Sequence, residues 1–266
     1  MIFTSLLLAI GVAPSMQPLD LCRMRPIFRE EFDTLAASRD EIGPDARWTA
    51  HTPWNGDFGD ARFMDPGPDG PFTVKNGILT ITARKGADGK WRSGLLAASD
   101  PKGRGNAGTQ YGYFEARMKM PRGAGTWPAF WLAAQRPTDR KRTTLEVDVV
   151  EFYGHKPAQY RTALHLWRPP PGVEEIHIDH GIDQKRAIPA RWHRFGARVG
   201  PKYITWYLDR KPVWQQPTPP QHDPPLYPIV NLALGAGWPI DKTPNPVKLK
   251  VDFVHVYALD PDAPDC

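Results

Sequence analysis

The stretch from Leu145 to Gly154 reads LEVDVVEFYG, a β-branched apolar run interrupted by Glu146, Asp148 and Glu151. Charge within such a strand is unfavourable unless it faces a wet cleft. Side chains alternate across a strand, so Glu146 and Asp148 share one face while Glu151 would point to the other. One extra residue between Asp148 and Glu151 would reset the alternation and bring all three carboxylates onto one face. Such β-bulges are enriched beside active sites.

Outward from this stretch, alternating apolar and polar runs recur between glycine, proline and aspartate. They include GILTITA (Gly77 to Ala83), YGYFEARMKM (Tyr111 to Met120), ALHLW (Ala163 to Trp167), YITWYL (Tyr203 to Leu208) and the segment Val247 to Tyr257. Helical periodicity is scarce, so the pattern predicts an all-β fold, an antiparallel sandwich or jelly roll. The proline-rich pieces RPPP (Arg168 to Pro171) and QQPTPPQHDPP (Gln215 to Pro225) would end pairing and form extended loops. Neither a repeat nor a linker divides the chain, and residues 16–266 are expected to form one domain and a monomer.

With 266 residues, 41% hydrophobic and 11% aromatic, the chain can bury one sizeable core, which excludes a disordered protein. The net charge of +5 is scattered, which argues against nucleic acid as a partner. The densest basic run, RPTDRKR (Arg136 to Arg142), reads as a solvated loop in preference to an anion site. His177, Asp179 and His180 match no strong zinc spacing and read as a surface loop.

The run Ile2 to Ala13 has the length of a signal-peptide hydrophobic region. Residues 1–15 are expected to be an export signal, giving a secreted or periplasmic protein with no membrane association after cleavage. The two cysteines, Cys22 and Cys266, lie near the ends of the mature chain. They would form either one disulfide joining neighbouring termini or two unrelated thiols.

GAGTWPAFWL (Gly123 to Leu132) supports the carboxylates with aromatic surface. Alternation puts Trp127, Ala129 and Trp131 on one face, a flat platform able to stack on sugar rings, with Phe130 and Leu132 supplying core on the other. Retaining glycosidases need two carboxyl groups about 5 to 5.5 Å apart, one as nucleophile and one as acid and then base.

Together these segments resemble glycoside hydrolase family 16, the laminarinases and lichenases. Glu146, Asp148 and Glu151 match its bulged ExDxxE signature, and YGYFEARMKMPRGAGTWPAFWL, YITWYLDRKPV, YPIVNLALG and VDFVHVY resemble further family segments in the same order. The resemblance implies a β-jelly-roll of two curved antiparallel sheets with a polysaccharide-binding cleft. It also implies Glu146 as nucleophile, Glu151 as general acid/base and Asp148 as the nucleophile's hydrogen-bonding neighbour. Trp127, Trp131 and His165 would face the sugar. No cofactor is required, but the resemblance implies a structural calcium site at Glu31, Gly77 and Asp252, which would suit a Cys22 to Cys266 bridge.

The expected activity is a secreted endo-β-glycosidase acting on a β-1,3- or β-1,3-1,4-linked glucan. One alternative is a hydrolase or transglycosylase acting on a bacterial exopolysaccharide or capsule polymer, since Arg62, Arg136 and Arg142 would suit acidic groups if they rim the cleft. Another is a carbohydrate-binding protein without turnover. Two departures bear on substrate and fold: WNGDFGDARFMDP (Trp54 to Pro66) resembles the family's loop only loosely, and Asp209-Arg210 replaces its Asp-Gly hairpin turn.

Overall fold

The computed structural model describes residues 16, 18–139, 141–260 and 262. The export signal and Cys266 therefore lie outside the described residues. Cys22 is disulfide-bonded. Among the described residues the only helical piece is the 3-10 turn Ile188–Ala190, and no helix is long and apolar enough to cross a membrane.

Two sheets pack face to face, as expected for a jelly roll. One has ten strands, the other eight, and pairing is antiparallel except for two short parallel contacts, Ala37–Ser38 with Trp48–Thr49 and Arg62–Phe63 with Trp91–Ser93. At the centre of the eight-stranded sheet, Thr126–Ala134 lies between Leu226–Leu234 and Thr144–Glu151. Beyond the carboxylate strand Thr144–Glu151 come Gln159–Trp167 and then Ile176–Asp183 at the edge.

The alternation read from the sequence is what divides core from cleft. Leu145, Val147, Val150, Phe130 and Leu132 are buried between the sheets with Leu164 and Leu166 of the next strand. Glu146 and Asp148 face the other way. The register confirms the bulge: Asp148 pairs with Ala163 but Glu151 with Arg161, so the carboxylate strand advances three residues while its neighbour advances two. Against the other neighbour, Val150 pairs with Phe130 and Asp148 with Trp131, which identifies Val149 as the extra residue. Where the ladder is interrupted, the Asp148 carbonyl accepts hydrogen bonds from Thr162 Oγ1 at 2.6 Å and from Trp206 Nε1 at 2.9 Å. Both donors are fully buried, and Trp206 comes from the opposite sheet, so the core itself secures the bulge.

The unusual hairpin turn also has a physical reason. Asp209 and Arg210 both adopt left-handed backbone, at φ 49° and 64°, where glycine would be at ease. Arg210 stays because its guanidinium meets Glu115 in a two-pronged pair, Nε to Oε1 and Nη2 to Oε2, each at 2.9 Å. Glu115 is wholly buried and also accepts a bond from the Tyr113 hydroxyl. Replacing Arg210 by glycine relieves the turn but strands this carboxylate. Breaking a buried pair costs about 3 to 5 kcal/mol, against about 1 kcal/mol of backbone relief, so Arg210→Gly should lose about 2 kcal/mol or more. Urea denaturation measures it, and a variant as stable as the parent would show that turn strain dominates.

Candidate active site

Each carboxylate of the trio has its own partners. Glu146 Oε2 accepts a hydrogen bond from Trp167 Nε1 at 3.1 Å. Asp148, 5% exposed, has His165 Nε2 at 3.2 Å from its Oδ2. Glu151 Oε1 accepts two bonds, from Trp127 Nε1 at 2.9 Å and from the Tyr153 hydroxyl at 3.1 Å. The Trp127 and Tyr153 rings stack with centroids 6.2 Å apart, so the two donors hold each other in place. His165 Nδ1 lies 3.0 Å from His177 Nδ1, and His177 Nε2 lies 3.1 Å from Glu175, which extends the line of polar groups to the sheet edge.

Carboxylate oxygens of Glu146 and Asp148 and a ring nitrogen of His165 all lie within 4.8 Å of one another. At that separation, in a largely dry floor, the groups compete for charge. Burial and then Asp148 push the Glu146 carboxyl up to about 8, while His165 and the Trp167 bond favour its charged form. Asp148 is held well above the usual carboxylate range by burial and by Glu151. Glu146 and Asp148 therefore hold protons more tightly than free carboxyl groups do.

Cavities flank the trio. A cavity of about 430 Å³ borders Glu146, Trp167, Trp54 and Tyr227. Another of about 240 Å³ lies on the Glu151 side, between Tyr153, His155, Arg161 and Trp238. Trp238 is 46% exposed, and its ring lies 3.9 Å from that of His155.

Several expectations are corrected here. Trp131 is not an open platform: it is 6% exposed, its Nε1 bonds Asn231 Oδ1 at 2.8 Å, and Trp54 and Phe58 pack over it at 5.8 and 6.1 Å. Phe58 also meets Trp127 edge-on at 5.4 Å, so the loop Trp54 to Pro66 roofs the tryptophans that would have stacked on sugar. Trp127 remains at the site, but through its hydrogen bond to Glu151. His177, Asp179 and His180 belong to the edge strand Ile176–Asp183 and not to a loop. That strand escapes the alternation rule because four consecutive residues, His177 to His180, are exposed whatever their polarity. Trp167 and Tyr153 were also missed, although each lies two residues beyond a recognised site residue, His165 and Glu151, on the same face.

The calcium set does not fit. The Asp252 carboxylate is 2.5 Å from Arg117 Nη1 and the Glu31 carboxylate is 2.7 Å from His255 Nε2. Gly77 does adjoin the Glu31 carbonyl, with a Cβ there 3.5 Å from it, but calcium wants six to eight oxygens. Two carboxylates already engaged by separate side chains, Arg117 and His255, do not supply them. Arg62 lies in the other sheet beside Arg92, away from Glu146.

Comparison with known proteins agrees with this geometry. Residues 68–255 match the family model described as Glycosyl hydrolases family 16. The endo-1,3-1,4-beta-glycanase EglC of Rhizobium meliloti (strain 1021) is 33% identical over 72% of this chain and 40% of its own length. The endo-1,3-1,4-beta-glycanase ExsH of the same organism is 29% identical over 92% of this chain and 54% of its own length. The chain thus spans about half the length of these relatives. In fold it is similar to the laminarinase from Rhodothermus marinus, with a TM-score of 0.69 at 24% identity over 88% of this chain and 97% of that one.

The raised proton affinity of Glu146 has a thermodynamic consequence. The folded site binds its proton more tightly than the unfolded chain, whose glutamate titrates near 4.5. Its contribution to stability is full below that pH and is lost as pH rises through about 8. Glu146→Gln should flatten the fall in unfolding free energy between pH 5 and about 8.5, measured by urea denaturation at a series of pH values. A parallel fall in parent and variant would contradict the shift.

Proposed function

The chain belongs to glycosyl hydrolase family 16, and on that premise we propose that it is an endo-acting β-glucan hydrolase working with retention of configuration. The observation that carries this reading is the Val149 bulge, which turns Glu151 to the same face as Glu146 and gives each carboxylate its own hydrogen-bond donors. A retaining reaction needs Glu146 as the charged nucleophile and Glu151 as the proton donor. Glu146 attacks the anomeric carbon while Glu151 gives its proton to the leaving glycosidic oxygen. Glu151 then takes a proton from the water that releases the sugar from Glu146. Trp167 and His165 stabilise the charge on Glu146 before attack and after release. Trp127 and Tyr153 orient Glu151 while it changes from acid to base.

The relatives' names, endo-1,3-1,4-beta-glycanase, support a β-1,3- or β-1,3-1,4-linked glucan as substrate. Cavities on both sides of the trio suit attack within a chain rather than at its end. The apolar N-terminal run supports action outside the cytoplasm, and the cavities flanking the trio suit a polysaccharide as the partner. A non-catalytic binder is disfavoured, because clustering three carboxylates in a dry floor would weaken binding without return.

On laminarin and mixed-linkage glucan, Glu146→Ala and Glu151→Ala should each lose roughly 10³-fold or more in kcat. With an activated aryl β-glycoside, azide should restore turnover. Glu146→Ala would yield the α-glycosyl azide and Glu151→Ala the β-glycosyl azide, and the opposite pairing would exchange the two roles. Absence of oligosaccharide release by the parent from either polymer would overturn the glucan assignment.

A further inference from the structure

The cavity beside Glu146 has a charged end that the reaction does not use. Three residues beyond Ala133, which pairs with Glu146, the chain leaves the sheet and Arg136 turns into the cavity wall. Its Nη2 is buried and has no hydrogen-bond partner among the described residues. Arg168 lines the same cavity, and its Nε donates to the Arg142 carbonyl at 3.2 Å. Arg142 is 3.3 Å from Asp139. Asp139 is thus engaged by Arg142, and the Glu175 carboxylate accepts from the Arg168 backbone N–H at 2.8 Å, so no described carboxylate makes a hydrogen bond to Arg136 Nη2.

A buried guanidinium nitrogen without an acceptor is an unfavourable arrangement that a solvated loop would not keep, because rotating the side chain outward would satisfy it. Burial first, then Arg142 and Arg168, draw the Arg136 guanidinium below its usual range, against the opposing pull of Asp223 and Asp139. Arg136 and Arg168, which line the cavity, would both be relieved by an oxyanion bound in it. Along an extended strand Arg136 lies about 10 Å from the Glu146 row, within reach of a neighbouring sugar rather than the one being cleaved.

We infer that the cavity beside Glu146 is a subsite for an anionic group carried by the polysaccharide, a carboxylate or sulfate substituent bound by Arg136 with Arg168. The inference rests on the hydrolase reading above and narrows its substrate to glucans that carry acid groups. It reverses the expectation that the Arg136 to Arg142 run is only a solvated loop. It also separates Arg136 from Arg62, which lies elsewhere.

The test uses one β-glucan in three forms: neutral, sparsely oxidised at C6 to carboxylates, and sulfated to the same charge. The full chain should show kcat/KM roughly tenfold or more higher on one charged form than on the neutral one, an advantage that shrinks with added salt. The better charged form tells carboxylate from sulfate. Arg136→Gln should reduce the charged-to-neutral ratio toward one without lowering Tm, while Arg62→Gln, the same charge change outside the cavity, should leave the ratio as it is. A parent enzyme that prefers the neutral glucan would overturn the inference and leave the hydrolase reading intact. Equal losses on all three forms with a lowered Tm would make Arg136 a structural residue and overturn it too. No release from any form would overturn both readings.

Discussion

One extra residue, Val149, decides what this sheet can do. In a regular strand Glu151 would point into the core, where its charge would be ruinous; with the bulge it faces the cleft beside Glu146. The bulge persists because the Asp148 carbonyl is satisfied from two directions, by Thr162 on the adjoining strand and by Trp206 across the core. Unmet, that buried carbonyl would cost about 1 to 3 kcal/mol, enough to favour regular pairing. The geometry of the site is thus set by hydrogen bonds made on the far side of the sheet from the chemistry.

Around that constraint the aromatic residues act mainly as donors and walls. Trp167, Trp127 and Tyr153 aim N–H or O–H groups at the two glutamates, while Trp54, Phe58 and Trp131 pack together over the middle strand. Dryness raises the proton affinity of Glu146 and Asp148, while His165 and the Trp167 bond favour the charged form of Glu146.

Much of this was legible in the sequence because strand alternation is a strict rule. It placed Phe130 and Leu132 in the core, Glu146 and Asp148 in the cleft, and required the bulge before Glu151 could join them. What alternation cannot show is what covers a face. Trp131 points as expected, yet the loop carrying Trp54 and Phe58 folds over it, a contact 73 or more residues distant in the chain. The edge strand with His177 was hidden because its short alternation, Ile176 and Ile178, breaks at His180 and Gly181 before Ile182, and most of the strand is exposed on both faces. The calcium reading failed because partner choice depends on neighbours brought in from other strands: Arg117 for Asp252 and His255 for Glu31. Arg136 was visible as charge but not as a buried, unpaired group, because burial is a property of the assembled cleft.

If the bulged strand presents Glu146 as a nucleophile with Glu151 as its acid, a covalent glycosyl enzyme must form on Glu146. The most direct measurement is mass spectrometry of the protein after incubation with a 2-deoxy-2-fluoro glucosyl oligosaccharide bearing a good leaving group, which slows the second step and traps the covalent intermediate. The account predicts a single label, lost from the spectrum in Glu146→Ala and mapped to the peptide containing Glu146. A label on Glu151, or full turnover with no covalent species, would contradict it.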